Sequence, residues 1–459
     1  MAAAVVVALA VVAITLAGLG TLSHTSSHDS SFDAGAPVLA SKPPDAVKKP
    51  SPGTSTASPR AGLLAGAHRP PVSPAEVALQ SALTKTMRQA GPMSGALVYD
   101  VDDRAELFAA RPGVKRPPAS VEKLWTTTAL MLKLGPNARL HTAILGTGSE
   151  RNGVWHGNLY LRGGGDPTFG DPSFNHVWEQ GYGPTANDLV AQLQRRGIRR
   201  VTGHVFPDES LFDRRRGGLM TNYAVDVPDF GGQLSALTYD HGSVVPHYSP
   251  SAFAARELAL TMRGAHIAVQ ASRHDATTPR NARVLAIVSS PPMSVMTRLM
   301  DVPSDDLFAE LFTKQLGVLF GRGGTIPSGA HVISQSISSA YGLHPKILDG
   351  SGLSRNDGSS PTEVVSLLRD IWNTPVGDEL EASLPTVGVN GTVQSIAAKT
   401  AAVGRCEAKT GTLNNVTNLA GYCHSRGHQM LAFAFFIDGP ENWTSLALEG
   451  RMVAAVARY

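Results

Sequence analysis

The chain has 459 residues, 42% apolar and 17% charged, a length that favours two or more domains with room for a sizeable core. Its net charge of +3, with no long run of Lys or Arg, gives no ground for a nucleic-acid partner. Two cysteines, Cys406 and Cys423, exclude both a disulfide scaffold and a four-cysteine zinc site.

Residues 2–20 carry no charge and are almost wholly apolar. They read either as a signal peptide or as an uncleaved anchor, in which case membrane anchoring runs through residues 2–20. A basic n-region and a clean small-x-small cleavage site are both missing. A buried soluble helix is the third reading, and the non-globular stretch that follows argues against it. Residues 21–72 are rich in Ser, Thr, Pro, Ala and Gly, too polar and too small to order themselves, and read as a disordered tether. His24 and His28 lie there at a metal-like spacing, but isolated histidines in such a tail are ordinarily bystanders.

Folded structure is expected from Ser73, with Pro74 at the first helical position and Glu76 completing a capping box. That helix should run to about Gln89 and end at Gly91-Pro92. Gly95 to Asp100 and Ala105 to Ala110 read as short strands around a turn at residues 102–104. Then comes Ser120-Val121-Glu122-Lys123, followed by a helix-length apolar segment to Leu134. Three residues apart on a helix, Ser120 and Lys123 share a face, and the free N–H groups of a first turn favour a developing negative charge. This is a workable nucleophile–base pair. No other Ser-x-x-Lys occurs in the chain.

From 140 to 289 short strand-like runs alternate with turns, with one helix near 187–194 and later strands at Leu258 to Met262, Ile267 to Gln270 and Val284 to Ser289. The Gly163-Gly164-Gly165-Asp166 turn lacks the Lys-Ser/Thr and helix of a phosphate loop and reads as structural. Helical pattern returns at Met293 to Met300, Leu307 to Leu316 and Thr362 to Trp372. Strands are expected at Arg405 to Lys409, Val416 to His424 and Gln429 to Ile437, and a last helix at Ser445 to Val456. Antiparallel strands between early and late helices give an α+β domain split by an insertion. Lys409-Thr410-Gly411-Thr412 lies on the first late strand: Gly411 permits close approach of a ligand, and Lys409 and two hydroxyls suit a carboxylate. Lys399-Thr400 lacks the glycine.

Ser-x-x-Lys early, Lys-Thr-Gly late and a Ser-x-Asn between them is the motif set of penicillin-binding proteins and serine β-lactamases. With Asn158 to Pro167, Ser290-Pro291-Pro292-Met293-Ser294, Asp349-Gly350-Ser351-Gly352-Leu353-Ser354-Arg355 and Ala408 to Leu413, the chain resembles the D-alanyl-D-alanine carboxypeptidase/endopeptidases of the penicillin-binding protein 4-like family over about residues 73–459. The resemblance implies a penicillin-binding-protein/serine β-lactamase-like transpeptidase domain, an antiparallel sheet flanked by helices, formed by 73–139 and 290–459 around a large β-rich inserted region, 140–289. It implies an exported, extracytoplasmic serine DD-peptidase, acting on peptidoglycan stem peptides, bound by β-lactams and needing no cofactor or metal.

The middle motif departs from the family. Ser173-Phe174-Asn175 and Ser354-Arg355-Asn356 fit the pattern, but the first lies in the insertion and the second in the Gly-Ser-Gly-Leu-Ser loop. A helix start after the Pro-Pro-x-Ser segment points to Ser304-Asp305-Asp306, with Asp306 where asparagine is expected. An ionised aspartate accepts hydrogen bonds but donates none, and its charge favours the charged form of nearby lysines. Acyl transfer is then altered or slowed, or else Asp306 pairs with a lysine or is held protonated and little changes. The family mechanism implies Ser120 as nucleophile, Lys123 as base, Ser304 relaying a proton, Lys409 and Thr410 holding the substrate carboxylate, and the N–H groups of Ser120 and Thr412 as oxyanion hole. The other readings are a catalytically impaired peptidoglycan-binding scaffold, for which Asp306 argues, and a β-lactamase-like hydrolase, against which the insertion argues. Cys406 and Cys423 come roughly opposite if their strands pair, giving a disulfide in an oxidising compartment or two buried thiols.

Overall fold

The computed structural model describes residues 73–217, 232–243 and 247–459. The apolar stretch 2–20, the tether and its histidines lie outside them. Among the described residues no helix is long and apolar enough to cross a membrane.

Helix α1 (Pro74–Ala90) opens as its cap residues dictate: the Glu76 N–H donates to Ser73 Oγ, Pro74 sits at the helix start, and Gly91 ends the helix at φ 88°. Strands β1 (Gly95–Asp100) and β2 (Ala105–Ala110) pair antiparallel. A 3₁₀ turn at Ala119–Glu122 leads into α2 (Lys123–Lys133), so Ser120 sits just ahead of the α-helix and not within its first turn. Next come β3 (His141–Arg151), β4 (Val154–Arg162), α3 (Pro172–Trp178), α4 (Ala186–Arg195), β5 (Arg200–Asp208), α5 (Pro250–Gly264), β6 (Ala268–Ala271) and β7 (Arg283–Ser289). Then follow α6 (Met293–Asp301), α7 (Asp306–Phe320), α8 (Ile326–Tyr341), α9 (Pro361–Ile371), α10 (Pro375–Ser383), β8 (Cys406–Leu413), β9 (Val416–His424), β10 (Met430–Asp438) and α11 (Asn442–Arg458).

One sheet runs β2-β1-β10-β9-β8, wholly antiparallel. All but the edge strand β2 are largely buried on both faces, and the period of two sorts their side chains between two cores. Leu431, Phe433, Phe435 and Ile437 pack with Leu79, Leu83, Met452 and Val456 of α1 and α11. Ala432, Ala434 and Phe436 face the other way, into a core with Leu124, Trp125 and Leu130 of α2 and Leu367 and Leu368 of α9. On β8, Ala408 belongs to the first core and Leu413 to the second. Alternation therefore puts Lys409 and Gly411 on the α2 side.

The second sheet, β6-β5-β4-β3-β7, lies within residues 141–289 and mixes parallel and antiparallel pairs. Helices α4 and α5 supply Leu189, Leu193, Leu258 and Met262 to its core. Leu258 to Met262 is therefore helix, not strand: the apolar side chains that mimic strand alternation sit in a 15-residue helix capped by Ser249. The glycines at 163–165 make a structural turn, with a Cβ at Gly163 falling 2.1 Å from the Ala236 carbonyl oxygen.

Cys406 and Cys423 stand directly opposite on β8 and β9 and are joined in a disulfide, which braces the strand carrying Lys409.

Candidate active site

Ser120 is half-buried at the head of α2, and the residue before it, Ala119, is held at φ 48°. A non-glycine residue in that region persists only where its surroundings over-determine it. Here Asn418 of β9 donates its side-chain N–H to the carbonyls of Pro117 and Pro118, both at 2.9 Å. Gly352 lies so close that a Cβ on it would stand 1.9 Å from the Ala119 oxygen, and one on Gly411 would stand 3.1 Å from the Ser120 nitrogen. Two glycines from distant segments thus let the Ser120 turn sink against β8 and the 349–354 loop.

Lys123, fully buried, has three acceptors around Nζ: Ser120 Oγ at 3.0 Å, Asp306 Oδ1 at 2.6 Å and the Ser351 carbonyl at 2.9 Å. Three acceptors match the three donors of an ammonium group. Asp306 is the first residue of α7, capped by Asp305, whose Oδ1 accepts from the Phe308 N–H and whose Oδ2 pairs with His241 Nε2 at 2.6 Å. Ser304 precedes them at φ 66°, half-buried, with no hydrogen bond among the described residues. Of the three candidates for the middle motif, Ser304-Asp305-Asp306 is the one that reaches Lys123. Asn175 is buried in α3 without a partner, and Asn356 is exposed beyond the 349–354 loop.

Lys409 is fully buried on β8 and donates to the Thr410 carbonyl at 3.1 Å. Burial and the charge of Lys123 push its pKa down to about 7, against the opposite pull of Asp301 and Asp306. Asp306 does pull Lys409 toward the charged form, as its charge leads one to expect, but desolvation is the larger effect and leaves the pKa below its ordinary value. Thr410 Oγ1 bonds Thr392 Oγ1 at 2.7 Å. β8 is an edge strand whose Ala408 N–H already points outward, to the Pro385 carbonyl. The strand period aims the N–H groups of Thr410 and Thr412 to the same edge, so a substrate backbone has donors to meet.

Beneath Lys123 lies a buried acid cluster that motif reading missed. Glu310 Oε1 accepts from the N–H groups of Gly350 (3.0 Å) and Ser351 (2.8 Å), fixing the segment whose carbonyl holds Lys123. Asp349 accepts from Gly352 and Ser354 N–H in the same loop. Burial raises Glu310 to about 8 and Asp357 to about 12, with Asp349 adding to both. Burial likewise pushes Glu122 well above the carboxylate range. Glu310 follows Asp306 by four residues on one helix, so the two share a face. That spacing was the available signal. Asp301, raised by burial to about 6, accepts from Thr127 and Ser383.

These raised carboxyls set a pH dependence of stability. Glu310 has a folded pKa of about 8 against 4.5 unfolded, so its contribution is full below pH 4.5 and lost as pH rises through about 8. Asp166 and Asp301 (each about 6) and Glu179 (about 7) act in the same sense. The lowered His141 opposes them in this range, and the lowered Lys409 does so only above about 7. The melting temperature is expected to fall as pH rises from about 4.5 to about 7. Glu310→Gln, measured by the same thermal scans, should flatten that fall; an unchanged slope would remove Glu310 as its source.

The chain matches the family model described as D-Ala-D-Ala carboxypeptidase 3 (S13) over residues 75–254 and 232–459. It is 26% identical to a D-alanyl-D-alanine carboxypeptidase of Actinomadura sp. (strain R39), covering 80% of this chain and 82% of that one. It is 28% identical to a carboxypeptidase of Mycolicibacterium smegmatis, over 76% and 77% of the two chains. Among solved structures it is similar in fold to penicillin binding protein 4 of Haemophilus influenzae, with a TM-score of 0.68, 19% identity and coverage of 82% of this chain and 99% of that one. A complex of the same protein with a β-lactam aligns with a TM-score of 0.65 and 18% identity, over 82% and 99% of the two chains.

Proposed function

The chain belongs to the D-Ala-D-Ala carboxypeptidase 3 (S13) family, and on that premise we propose that it is an exported serine DD-peptidase working through a Ser120 acyl-enzyme. Membership makes it a serine-type hydrolase of the cell envelope with a penicillin-binding fold. The finer reading is hydrolysis of the terminal D-Ala-D-Ala bond, or of D-Ala-containing crosslinks, in peptidoglycan stem peptides. Its main support is one contact: Lys123 Nζ lies 3.0 Å from Ser120 Oγ, at the foot of an open strand edge.

The residues divide the work as follows. Lys123, once it has given up one of its three protons, takes the proton of Ser120 as that oxygen attacks the carbonyl. The N–H groups of Ser120 and Thr412 receive the developing oxyanion. Ser304 passes a proton to the leaving D-alanine amine, and water then releases the acyl group. Lys409, with Thr410, holds the terminal carboxylate. With the Lys409 pKa at about 7 in the free site, KM for a carboxylate-ended substrate should worsen as pH rises past neutrality.

The deciding experiment is a mass measurement of the protein after incubation with a penicillin. A covalent adduct on the wild type, absent in Ser120→Ala, is expected. Absence of an adduct on both, together with no D-alanine released from a stem-peptide mimic, would favour the second reading, a peptidoglycan-binding scaffold that kept the fold. Asp306 motivates that reading, because it occupies the third acceptor site of Lys123 with a group that offers a substrate no donor.

A further inference from the structure

A groove lies well away from Ser120. It measures about 800 Å³ and lies between α1, α11 and the 395–400 turn, in the layer that packs on the sheet face looking away from Lys409. Its walls carry three cations, Lys85, Arg451 and Arg458, and no described acidic residue. The side chains of Lys85 and Arg458 have no ion pair or hydrogen bond among the described residues, and that of Arg451 bonds only Gln89 Oε1, at 2.8 Å. Between the cations the floor is apolar, formed by Ile396, Ala454 and Leu446, the last 40% exposed.

We propose that this groove is a second binding site for the enzyme's own polymer, which seats the free carboxylates and alanine methyls of an uncleaved peptidoglycan stem peptide while a neighbouring stem is processed at Ser120. The proposal rests on the peptidoglycan reading above. Charge complementarity selects the occupant. Like charges gathered without counter-charges repel one another, and an anionic ligand relieves that repulsion. Apolar floor between the cations suits a ligand that alternates carboxylates with small methyl groups, as an alanine-rich acidic peptide does. The volume is within the range of about 300–1,000 Å³ that holds a ligand of that size. Because the groove and the catalytic edge lie on opposite faces of one sheet, the site retains polymer without touching the bond that is cut.

The test is sedimentation of the full chain with purified sacculi stripped of other wall polymers. Lys85→Glu with Arg458→Glu should bind about ten-fold more weakly or worse, as expected when two charge-assisted contacts are reversed. Lys85→Arg with Arg458→Lys should bind as wild type. Amidating the sacculus carboxylates should reduce wild-type binding to the level of the charge-reversed variant. D-alanine release from a soluble stem peptide should be the same in all three proteins. Undiminished binding after charge reversal, or after amidation, overturns the proposal. So does a change of solution mass on charge reversal without loss of sedimentation, which would assign the groove to a second copy of the chain. Should charge reversal prevent folding, the amidation arm still decides. Failure of the wild type to release D-alanine would count against the hydrolase reading alone, since sedimentation needs no turnover.

Discussion

Lys123→Met will lower the rate of penicillin acylation at Ser120 by about 10³–10⁴, the upper part of the range for loss of a positioned base. The expectation follows from how little else can take the proton. Ser120 Oγ has Lys123 Nζ at 3.0 Å, and among the described residues no histidine or carboxylate bonds the serine. Lys409 is buried and donates to the Thr410 carbonyl. Methionine keeps the length and apolar stem of lysine, so packing among Leu124, Trp125 and the 349–354 loop survives. The charge does not, and Asp306 loses its partner at 2.6 Å. Lys123 also lowers the pKa of Glu122 and Asp349, so its loss raises both further and, by linkage, costs some stability toward neutral pH. Stopped-flow acylation beside a melting curve separates the two effects. A variant that melts near wild type yet acylates at more than a tenth of the wild-type rate would show that another group is the base.

Legibility in the sequence followed the range of the physics involved. Local signals read well: the Ser73 cap, the β1–β2 hairpin and the strand runs of β9 and β10 all depend on neighbours a few residues away. The α8 helix escaped because its exposed face is serine-rich and its interior lacks strong helix formers, although Thr325 caps its start and Gly342, at φ 69°, closes its end. Within 250–264 the spacing of Leu258, Leu260 and Met262 imitates a strand, and only packing under the second sheet shows it to be helix. At the site, motifs located Ser120, Lys123, Asp306 and Lys409, since each sits in a short recognisable run. The acid cluster did not emerge, because Glu122, Glu310, Asp349 and Asp357 meet only after the insertion is folded out of the way. Their role is also indirect: Glu310, Asp349 and Asp357 tie down backbone N–H groups, and no bond in the structure puts any of the four on Ser120. The two strained positions, Ala119 and Ser304, were equally invisible, because positive φ at a non-glycine residue is imposed by tertiary packing.

Asp306→Asn is expected to speed acylation, by about ten-fold or more, even though it deletes an ion pair. In the present site the carboxylate accepts from Lys123 and has nothing to donate. An asparagine amide keeps the acceptor for Lys123 through its oxygen and turns an N–H toward the strand edge where the substrate carbonyl arrives. One donor that bonds more strongly in the transition state is worth about 10²–10³ in rate where it has been removed elsewhere. Against this stands the lost Coulomb attraction to Lys123. That loss is moderate, because the Asp306 side chain is 23% exposed and water screens it. Removing the charge also makes it easier for Lys123 to surrender the proton that blocks its lone pair, which acts in the same direction as the new donor. The variant should melt slightly below wild type, since a fully buried ammonium then keeps only neutral partners. Second-order acylation constants for both proteins, measured across pH 6 to about 9, give the decisive comparison. A gain that is largest toward the acid end identifies relief of the Lys123 proton as the main effect, and a uniform gain identifies the new donor. A slower Asp306→Asn variant would mean that the carboxylate itself receives the lysine proton, so that Ser120, Lys123 and Asp306 work as a relay and the substitution relative to the family is an adaptation and not an impairment.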